Sequence, residues 1–534
     1  MGIARGRFRA LFALRSALYG AAALGLAVRL AQYLANTSLS VDEALLALNI
    51  RHRSLSGLGE TLDFNQAAPY GFLALEKLAS ILFGSSEYAL RLFPFVASVA
   101  SVVLFPLLAR RILDQWSTIV ATILFALSSG VVDYSATAKQ YAVDVFAAVL
   151  LSWLGLRANV TGARKDLGVL AVVGAGAVWF SHAAALVLFA IGVVLIAKAS
   201  ARRDVRRAGE TVAVFAICLA SFGGVYLLTA PNLRHIQESL RASNAFVGSQ
   251  SSGSLHSYRG IFRYVVGVPH LHAAGDDLGY YAAAIAAILC AVGVVFLLLR
   301  DRASALVLYL PVVVEAIASA LGKYPLLERT TLFAAPAAAI GVAAGARTLV
   351  RTRYRFVTAI AVVAVAIVSV AIGAGGAPRL VQPHKTEEMK PVLRYLAREE
   401  RPSDTIYLYY KSQYSFRYYL ECGCFDGATS TLRARGVWPL TRYVGGPAQW
   451  APALESRPPR FLVGRSGGRD HAYVADLRPL AQRARVWIVM SGLPNDERAA
   501  LLRRTDRLAR RLAAFRSSGD ESSAAAYLYD FRGR

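Results

Sequence analysis

Long, uninterrupted blocks of apolar residues dominate the first 377 residues of this 534-residue chain. A helix needs roughly 17 to 25 apolar residues to cross a bilayer. About eleven such blocks can be drawn, at 11–33, 89–109, 117–132, 141–156, 167–180, 182–197, 211–229, 278–299, 303–320, 330–346 and 356–375. The hydrophobic content of 56% is more than one soluble core needs. The sequence therefore predicts a polytopic α-helical membrane protein.

The net charge of +25 is explained by where the basic residues lie. Clusters of Lys and Arg fall in every second loop between the apolar blocks, and the positive-inside rule assigns such loops to the cytoplasm. An odd number of spans then predicts a cytoplasmic N-terminus and an extracytoplasmic C-terminus. The charge therefore reflects membrane topology, and we expect no nucleic-acid partner.

The first outer loop begins with two adjacent carboxylates, Asp42 and Glu43, directly after the first span. Ser40 and Glu43 have the spacing of a capping box at the start of a short amphipathic helix. Consecutive residues point about 100° apart around a helix, so the two carboxylates need not share one function. One interpretation is that both only stabilise the helix start. The other is that Asp42 acts on a substrate at the membrane surface.

The second half of this loop, from Pro69 to Gly84, is apolar but too short to span a bilayer. Proline at its start and glycine at its end favour a helix that lies in the membrane interface. Two interfacial helices in this loop would enclose a cavity with Asp42 at its edge.

Further polar residues lie at the predicted outer ends of later spans. Lys139 precedes Tyr141 and Asp144, which share one helix face. Ionisable residues at membrane depth are costly, so a functional role is the first hypothesis for them. The alternative is that Lys139 only pairs with Asp144. Arg329 follows Lys323 and Tyr324 in a short outer loop. Its planar guanidinium suits a phosphate, although it could instead be an interfacial anchor.

From about residue 378 the composition becomes that of a soluble protein. Strands are predicted at 405–410, 460–464, 485–490 and 525–530, with helices at 386–399 and 495–515. This pattern favours a small α/β domain, so we divide the chain into a transmembrane domain at 1–377 and an extracytoplasmic domain at 378–534. No glycine-rich phosphate loop or nucleophile elbow is found in it. We expect a cover or an acceptor-binding module. Free thiols or a local disulfide are favoured over a metal site at Cys422 and Cys424.

Several short motifs, in this order, resemble the GT-C superfamily of integral-membrane glycosyltransferases, which use polyprenyl-phosphate sugars. They are Asp42-Glu43 after the first span, the segment from Pro69, Tyr88 to Pro94 at the start of the second span, Lys139-Gln140-Tyr141, and Tyr324-Pro325 followed by Arg329. The likeness is to protein O-mannosyltransferases and aminoarabinose transferases. Many of these relatives have a His-Pro-Pro-like sequence where this chain has Asn65-Gln66-Ala67-Ala68-Pro69.

The resemblance implies an inverting transfer of a sugar from a polyprenyl-phosphate donor to a hydroxyl group on the outer face of the inner (plasma) membrane. Asp42 would be the general base, and the acceptor would be a lipid, a glycan or a protein. The substrate-binding candidates are Glu43, Arg91, Lys139, Tyr141, Asp144, Lys323, Tyr324 and Arg329. No cofactor is certain, although a divalent metal beside Glu43 is a candidate.

A transporter or flippase for a lipid-linked saccharide is the main alternative. A transport path needs ionisable residues near the middle of the bilayer on several helices, whereas here they cluster at the outer face, with Glu315 as the main exception. A membrane-anchored sensor that uses the C-terminal domain is a third interpretation. The glycosyltransferase hypothesis predicts that Asp42, Lys139 and Arg329 converge on one cavity.

Overall fold

The computed structural model describes residues 2–242, 255–268, 277–434, 461–464, 477–481, 483–493, 495–519 and 522–532. Its α-helices are α1 (Gly2–Leu34), α2 (Val41–His52), α3 (Tyr70–Phe83), α4 (Glu87–Ala109), α5 (Gln115–Leu127), α6 (Ser129–Asp133), α7 (Tyr141–Thr161), α8 (Arg164–Phe180), α9 (Ala183–Ala201), α10 (Val205–Ala242), α11 (Leu255–Val266), α12 (Asp277–Arg300), α13 (Arg302–Ala320), α14 (Ala335–Val350), α15 (Arg355–Gly376), α16 (Met389–Glu399), α17 (Ser412–Glu421), α18 (Asp426–Ala434), α19 (Leu477–Leu480) and α20 (Asn495–Leu508). The strands are β1 (Thr405–Leu408), β2 (Phe461–Val463), β3 (Arg485–Met490), β4 (Arg510–Arg516) and β5 (Ala525–Asp530).

The chain is a multi-pass membrane protein, as predicted. Among the described residues, nine helices are long and apolar enough to cross a bilayer, and α5 with the segment Ser129–Ala136 makes a tenth span that is bent by 50°. α8 has only 17 residues, which is at the lower limit for a span. The described residues therefore give nine or ten candidate spans, and α8 corresponds to the remaining block of the eleven that the sequence predicts.

Glycines allow the closest contact between two membrane helices, α12 and α14. A Cβ atom on Gly345 would lie 1.8 Å from the Leu289 carbonyl oxygen, and one on Gly293 would lie 1.9 Å from the Gly341 carbonyl oxygen. Helices in a bilayer have no hydrophobic effect to drive their association, so small residues that let backbones approach supply the packing energy instead. Larger residues at these positions would separate the two helices.

The C-terminal region is built on a five-stranded mixed sheet with the order β2-β1-β3-β5-β4. β1 pairs in parallel with β2 and β3, whereas β5 is antiparallel to β3 and β4. Four of these strands lie where the sequence predicts them. The predicted helix at 495–515 is wrong in its last third, because α20 ends at Leu508 and β4 follows. β4 is a strand because it pairs with β5, and this pairing cannot be recognised from the local pattern of apolar residues.

α2 lies between the membrane helices and the C-terminal region. Nine of its twelve residues are buried, and its leucines share one hydrophobic core with Phe416 and Tyr419 of α17. The sequence predicts an amphipathic interfacial helix here, and the helix is present. Its predicted water-facing side is instead covered by the C-terminal region. α3, by contrast, leaves Ile81, Leu82 and Phe83 exposed, as an interfacial helix would.

Candidate functional site

The site is organised by the first turn of α2. The Glu43 N–H donates to the Ser40 hydroxyl at 3.3 Å, and the Ser40 N–H donates to Glu43 Oε2 at 3.0 Å, so the predicted capping box is present. Glu43 therefore points back toward the start of the helix. Asp42, its neighbour, points away from this network into a cavity. The two adjacent carboxylates therefore have different structural environments and different roles.

Glu43 and Arg91 form a buried ion pair in which each side chain is only 4% exposed. Arg91 Nε and Nη2 donate to the Glu43 carboxylate at 2.9 and 3.0 Å, and its remaining N–H groups reach Thr37 and the Ser38 carbonyl. All five guanidinium donors are thus engaged. Arg91 therefore has no spare N–H group for a substrate phosphate in this arrangement, and phosphate binding by Arg91 stays a prediction.

A metal ion beside Glu43 does not fit this geometry. A carboxylate has about four lone-pair sites, and those of Glu43 accept N–H groups from Ser40, Arg91 and Ala138. Among the residues that the structure describes, no group of three or more His, Cys, Asp or Glu side chains could hold a metal ion. Cys422 and Cys424 form a disulfide.

A cavity of about 490 Å³, which we call the large cavity, opens beside Asp42 and is lined by both polar and apolar side chains. Three of the four predicted phosphate-binding cations line it together with Asp42, namely Lys139, Lys323 and Arg329. Tyr141, Asp144 and Tyr324 also line it. The sequence candidates therefore meet in one place, apart from Glu43 and Arg91, which line the neighbouring cavity of about 300 Å³.

Much of the lining of the large cavity is apolar. The apolar side chains come mainly from the membrane helices α8, α9 and α10 and include Val178, Leu186, Phe222, Val225 and Ile236. A cavity lined by both cations and apolar side chains suits an amphiphile that has an anionic head and a hydrocarbon chain.

Asp42 forms an ion pair with Arg329 and keeps 47% of its side chain exposed to the cavities. Burial raises the pKa of Asp42, but Lys139 and Arg329 lower it by more, so that the net pKa lies below the usual value of 3.8. Asp42 is therefore ionised at neutral pH. A carboxylate that is ionised, accessible and beside cations can accept a proton from a bound molecule.

Lys139 is buried, and its Nζ donates to Gln66 Oε1 at 2.7 Å. Gln66 belongs to the segment in which this chain departs from the His-Pro-Pro-like pattern, and it also lines the large cavity. Burial lowers the pKa of Lys139 to about 8, although Asp42 opposes the shift. Lys139 is thus a cation at neutral pH that can lose its charge within the ordinary working range.

Asp144 does not pair with Lys139, so that alternative is wrong. Its Oδ1 accepts from the Ser181 hydroxyl at 2.6 Å, and the backbone N–H groups of His182 and Ala183 also bond to the carboxylate. Asp144 therefore stabilises the start of α9 while it lines the cavity. Tyr141 lies nearer to Asp42 and lines the two cavities that meet there.

A second cavity of about 300 Å³, which we call the small cavity, meets the large cavity at Asp42, Lys139 and Tyr141. Its other wall comes from the C-terminal region and the segment that leads into it, through His384, Thr386, Glu387, Lys411 and Gly492. Sequence reasoning missed these residues as a site. No local pattern marks them, because folding brings them to Asp42 from more than 300 positions away.

Part of this chain matches a known protein family. The family model for dolichyl-phosphate-mannose-protein mannosyltransferase matches residues 67–226. The matched segment runs from α3 to the part of α10 that lines the large cavity. No curated protein matches the sequence.

Three solved structures are similar to this one. ArnT from Cupriavidus metallidurans bound to undecaprenyl phosphate aligns with a TM-score of 0.50 and 14% identity over 96% of this chain and 97% of ArnT. AglB from Archaeoglobus fulgidus, in complex with an inhibitory peptide and a dolichol-phosphate, has a TM-score of 0.48 and 12% identity over 96% and 74% of the two chains. The arabinofuranosyltransferase AftD from Mycobacteria has a TM-score of 0.44 and 17% identity over 97% of this chain and 41% of AftD. At 14% identity the match to ArnT reports on the fold alone.

Proposed function

We propose that this chain, which has the fold of the GT-C glycosyltransferases, transfers a sugar from a polyprenyl-phosphate donor to an acceptor hydroxyl, with Asp42 as the general base. One observation carries the proposal. Asp42, Lys139 and Arg329 stand together where a large, mainly apolar cavity meets a smaller cavity that is more polar. A reaction between a lipid-linked sugar and a polar acceptor needs two such compartments and a base between them.

The donor fits the large cavity. Its prenyl chain would lie among the apolar side chains of α8, α9 and α10, and its phosphate would lie near Lys139, Lys323 and Arg329. The match to ArnT, whose structure contains undecaprenyl phosphate, supports a donor of this class. The sugar would then extend toward Asp42.

The acceptor fits the small cavity, whose polar lining includes Thr137, Thr386 and Glu387. The acceptor oxygen attacks the anomeric carbon as the bond between that carbon and the phosphate oxygen breaks, and the electron pair of that bond stays on the phosphate. The hydroxyl proton passes to the Asp42 carboxylate. Attack from the side opposite the leaving phosphate inverts the configuration.

A base with a depressed pKa suits this reaction. In an oxocarbenium-like transition state, departure of the leaving group accounts for much of the energy barrier. The acceptor proton can therefore be removed late in the reaction. The cations beside Asp42 stabilise the charge that develops on the departing phosphate. Stabilising this charge is a larger electrostatic requirement than accepting the proton. The same cations lower the pKa of Asp42.

The orientation in the membrane is part of this proposal. The basic loops favour a cytoplasmic N-terminus in the inner (plasma) membrane, which puts Asp42, both cavities and the region from residue 378 onward on the extracytoplasmic side. The region from residue 378 would then act as the acceptor-side wall of a catalytic domain at 1–377.

A transfer assay separates this proposal from transport. Purified protein in liposomes is given a polyprenyl-phosphate sugar that is labelled in the sugar, together with a panel of lipid, glycan and peptide acceptors. We expect free polyprenyl phosphate and labelled acceptor to form in equal amounts. A transporter would move the intact donor across the bilayer without breaking the bond between sugar and phosphate, and that result would contradict the proposal.

Donor binding is expected to weaken as the pH rises through about 8, because the pKa of Lys139 is about 8. Below this pH Lys139 is protonated and attracts the phosphate. Above it the ammonium loses its proton, and a charged contact of this kind is worth roughly tenfold in affinity. The donor phosphodiester does not titrate in this range, so the change belongs to the protein.

The measurement is the dissociation constant of the donor between pH 6 and 9.5. Lys139→Arg is the matched variant, because arginine stays charged throughout this range. We expect its affinity to be nearly independent of pH. An equal pH dependence in both proteins would mean that Lys139 is not the titrating group.

A further inference from the structure

The segment Ser38–Val41, which we call the strap, connects α1 to α2 and ends next to Asp42. Each of its four backbone N–H groups donates to a side chain. The acceptors are Glu388 Oε1 for Ser38 at 3.0 Å, Tyr419 Oη for Leu39 at 2.8 Å, Glu43 Oε2 for Ser40 at 3.0 Å and Glu387 Oε2 for Val41 at 2.6 Å. Three of these four acceptors come from residues beyond the last membrane helix. The strap is thus held by the C-terminal part of the chain.

Lys390 and the acceptor Tyr419 also contact α4 and the segment that follows α1. Lys390 Nζ donates to the Asn36 carbonyl at 2.6 Å and forms an ion pair with Glu87 at 2.7 Å. The Tyr419 hydroxyl also donates to Glu87, at 2.8 Å. The C-terminal part of the chain is therefore fixed to α4 as well as to the strap.

Glu387 accepts from Val41, the residue of the strap that directly precedes Asp42. Val41 is the first residue of α2, so its N–H is free of intrahelical bonds and can take an external acceptor. Glu387 lines the small cavity together with Asp42. On the other side, a Cβ atom added to Gly492 would lie 3.3 Å from Val41 Cγ2. A side chain at position 492 would thus meet Val41, whose backbone N–H is bonded to Glu387.

We propose that Glu387 is a positioning residue that sets the orientation of Asp42 toward the acceptor by accepting the Val41 N–H. This inference rests on the proposed function, since it assumes that Asp42 is the base. It assigns the C-terminal part of the chain a role in the chemistry besides covering the cavity. The cations of the large cavity lie on other elements, so donor binding does not depend on this bond.

Glu387→Ala is expected to lower kcat by about 10- to 100-fold, which is the effect of a misplaced catalytic group. The KM for the donor should change by less than about twofold, because Lys139, Lys323 and Arg329 remain in place. Glu387→Gln keeps an acceptor oxygen and should recover most of the activity. Asp496→Ala, which removes an exposed acid at the start of α20, is the control and should behave like the wild type.

Val41→Pro tests the same bond from the other side and does not depend on how Glu387→Ala folds. Proline has no N–H and is favoured at the first position of a helix. The preceding residue, Ser40, already has the extended conformation (φ −64°, ψ 166°) that a following proline requires. We expect Val41→Pro to lower kcat as Glu387→Ala does. The double variant should lose little more than either single variant, because both remove one interaction.

Three outcomes would overturn the inference. They are wild-type kcat in both Glu387→Ala and Val41→Pro, additive losses in the double variant, and a Glu387→Gln variant as impaired as Glu387→Ala. Asp42→Asn is measured in the same assay. If it abolishes transfer while Glu387→Ala and Val41→Pro do not affect it, the positioning role fails and the proposed function stands. If Asp42→Asn is also fully active, the proposed function itself fails.

Discussion

Asp42→Asn is expected to lower the rate of sugar transfer by about 10²- to 10⁴-fold, the usual contribution of a general base. The variant should remain folded and bind the donor lipid. Asparagine has nearly the same shape as aspartate, and its amide oxygen can still accept from Arg329, the partner of Asp42. What it loses is the ability to take a proton. The loss should therefore appear in kcat.

The measurement is transfer from a labelled donor, with donor binding and thermal unfolding followed on the same preparations. Asp63→Asn is the matched control, because Asp63 is an exposed acid of the same outer loop and pairs with Arg53. We expect the control to transfer at the wild-type rate. Wild-type transfer by Asp42→Asn would remove Asp42 from the chemistry and leave the two cavities without a base.

The membrane part of the fold is predictable from the sequence because the bilayer imposes one simple requirement. Every backbone polar group must be satisfied within its own helix, so apolar length alone locates most spans. α7 and α13 begin within two residues of the predicted positions. α10 is the largest departure, since it runs from Val205 to Ala242. Its polar ends are stabilised by tertiary contacts such as the bond from the Leu62 N–H to Asn232 at 3.1 Å, which hydropathy cannot detect.

The candidate site is predictable only in part, because a sequence reveals residue types and local spacing but not partners. Asp42, Lys139 and Arg329 are recognisable as ionisable residues at the ends of spans. Arg91 has the same appearance, yet its pairing with Glu43, 48 positions away, makes it part of the framework. The partners of each side chain distinguish Arg91 from Lys139 and Arg329, and these partners become visible only in the folded structure.

The C-terminal contribution to the site is the least predictable part. Glu387 and Lys411 lie in a region with ordinary soluble composition, and nothing in their neighbourhood indicates a cavity. They reach the small cavity because α17 packs on α2 through a shared apolar core. The region that follows the membrane helices in the sequence thus forms one wall of the site.

Arg329→Ala is expected to lower kcat/KM for the donor by about 10²- to 10³-fold, the range for losing one group that stabilises developing negative charge. Arg329 lines the large cavity beside Lys139 and Lys323 and keeps 39% of its side chain exposed. Its guanidinium can donate to Asp42 and to a phosphate through different N–H groups. Arg329→Lys keeps the charge but loses the planar fork, so it should retain only part of the activity.

The pH dependence of Arg329→Ala distinguishes this role from simple loss of fold. Arg329 lowers the pKa of Asp42, so its removal should raise that pKa and move the acidic limb of the pH–rate profile to higher pH. Arg351→Ala is the control, since Arg351 forms a comparable exposed ion pair with Asp114, away from both cavities. It should show neither effect. If Arg329→Ala kept its kcat/KM and the acidic limb of its pH–rate profile, Lys139 and Lys323 alone would have to hold the phosphate. The ion pair between Asp42 and Arg329, which supports the mechanism, would then have no role in it.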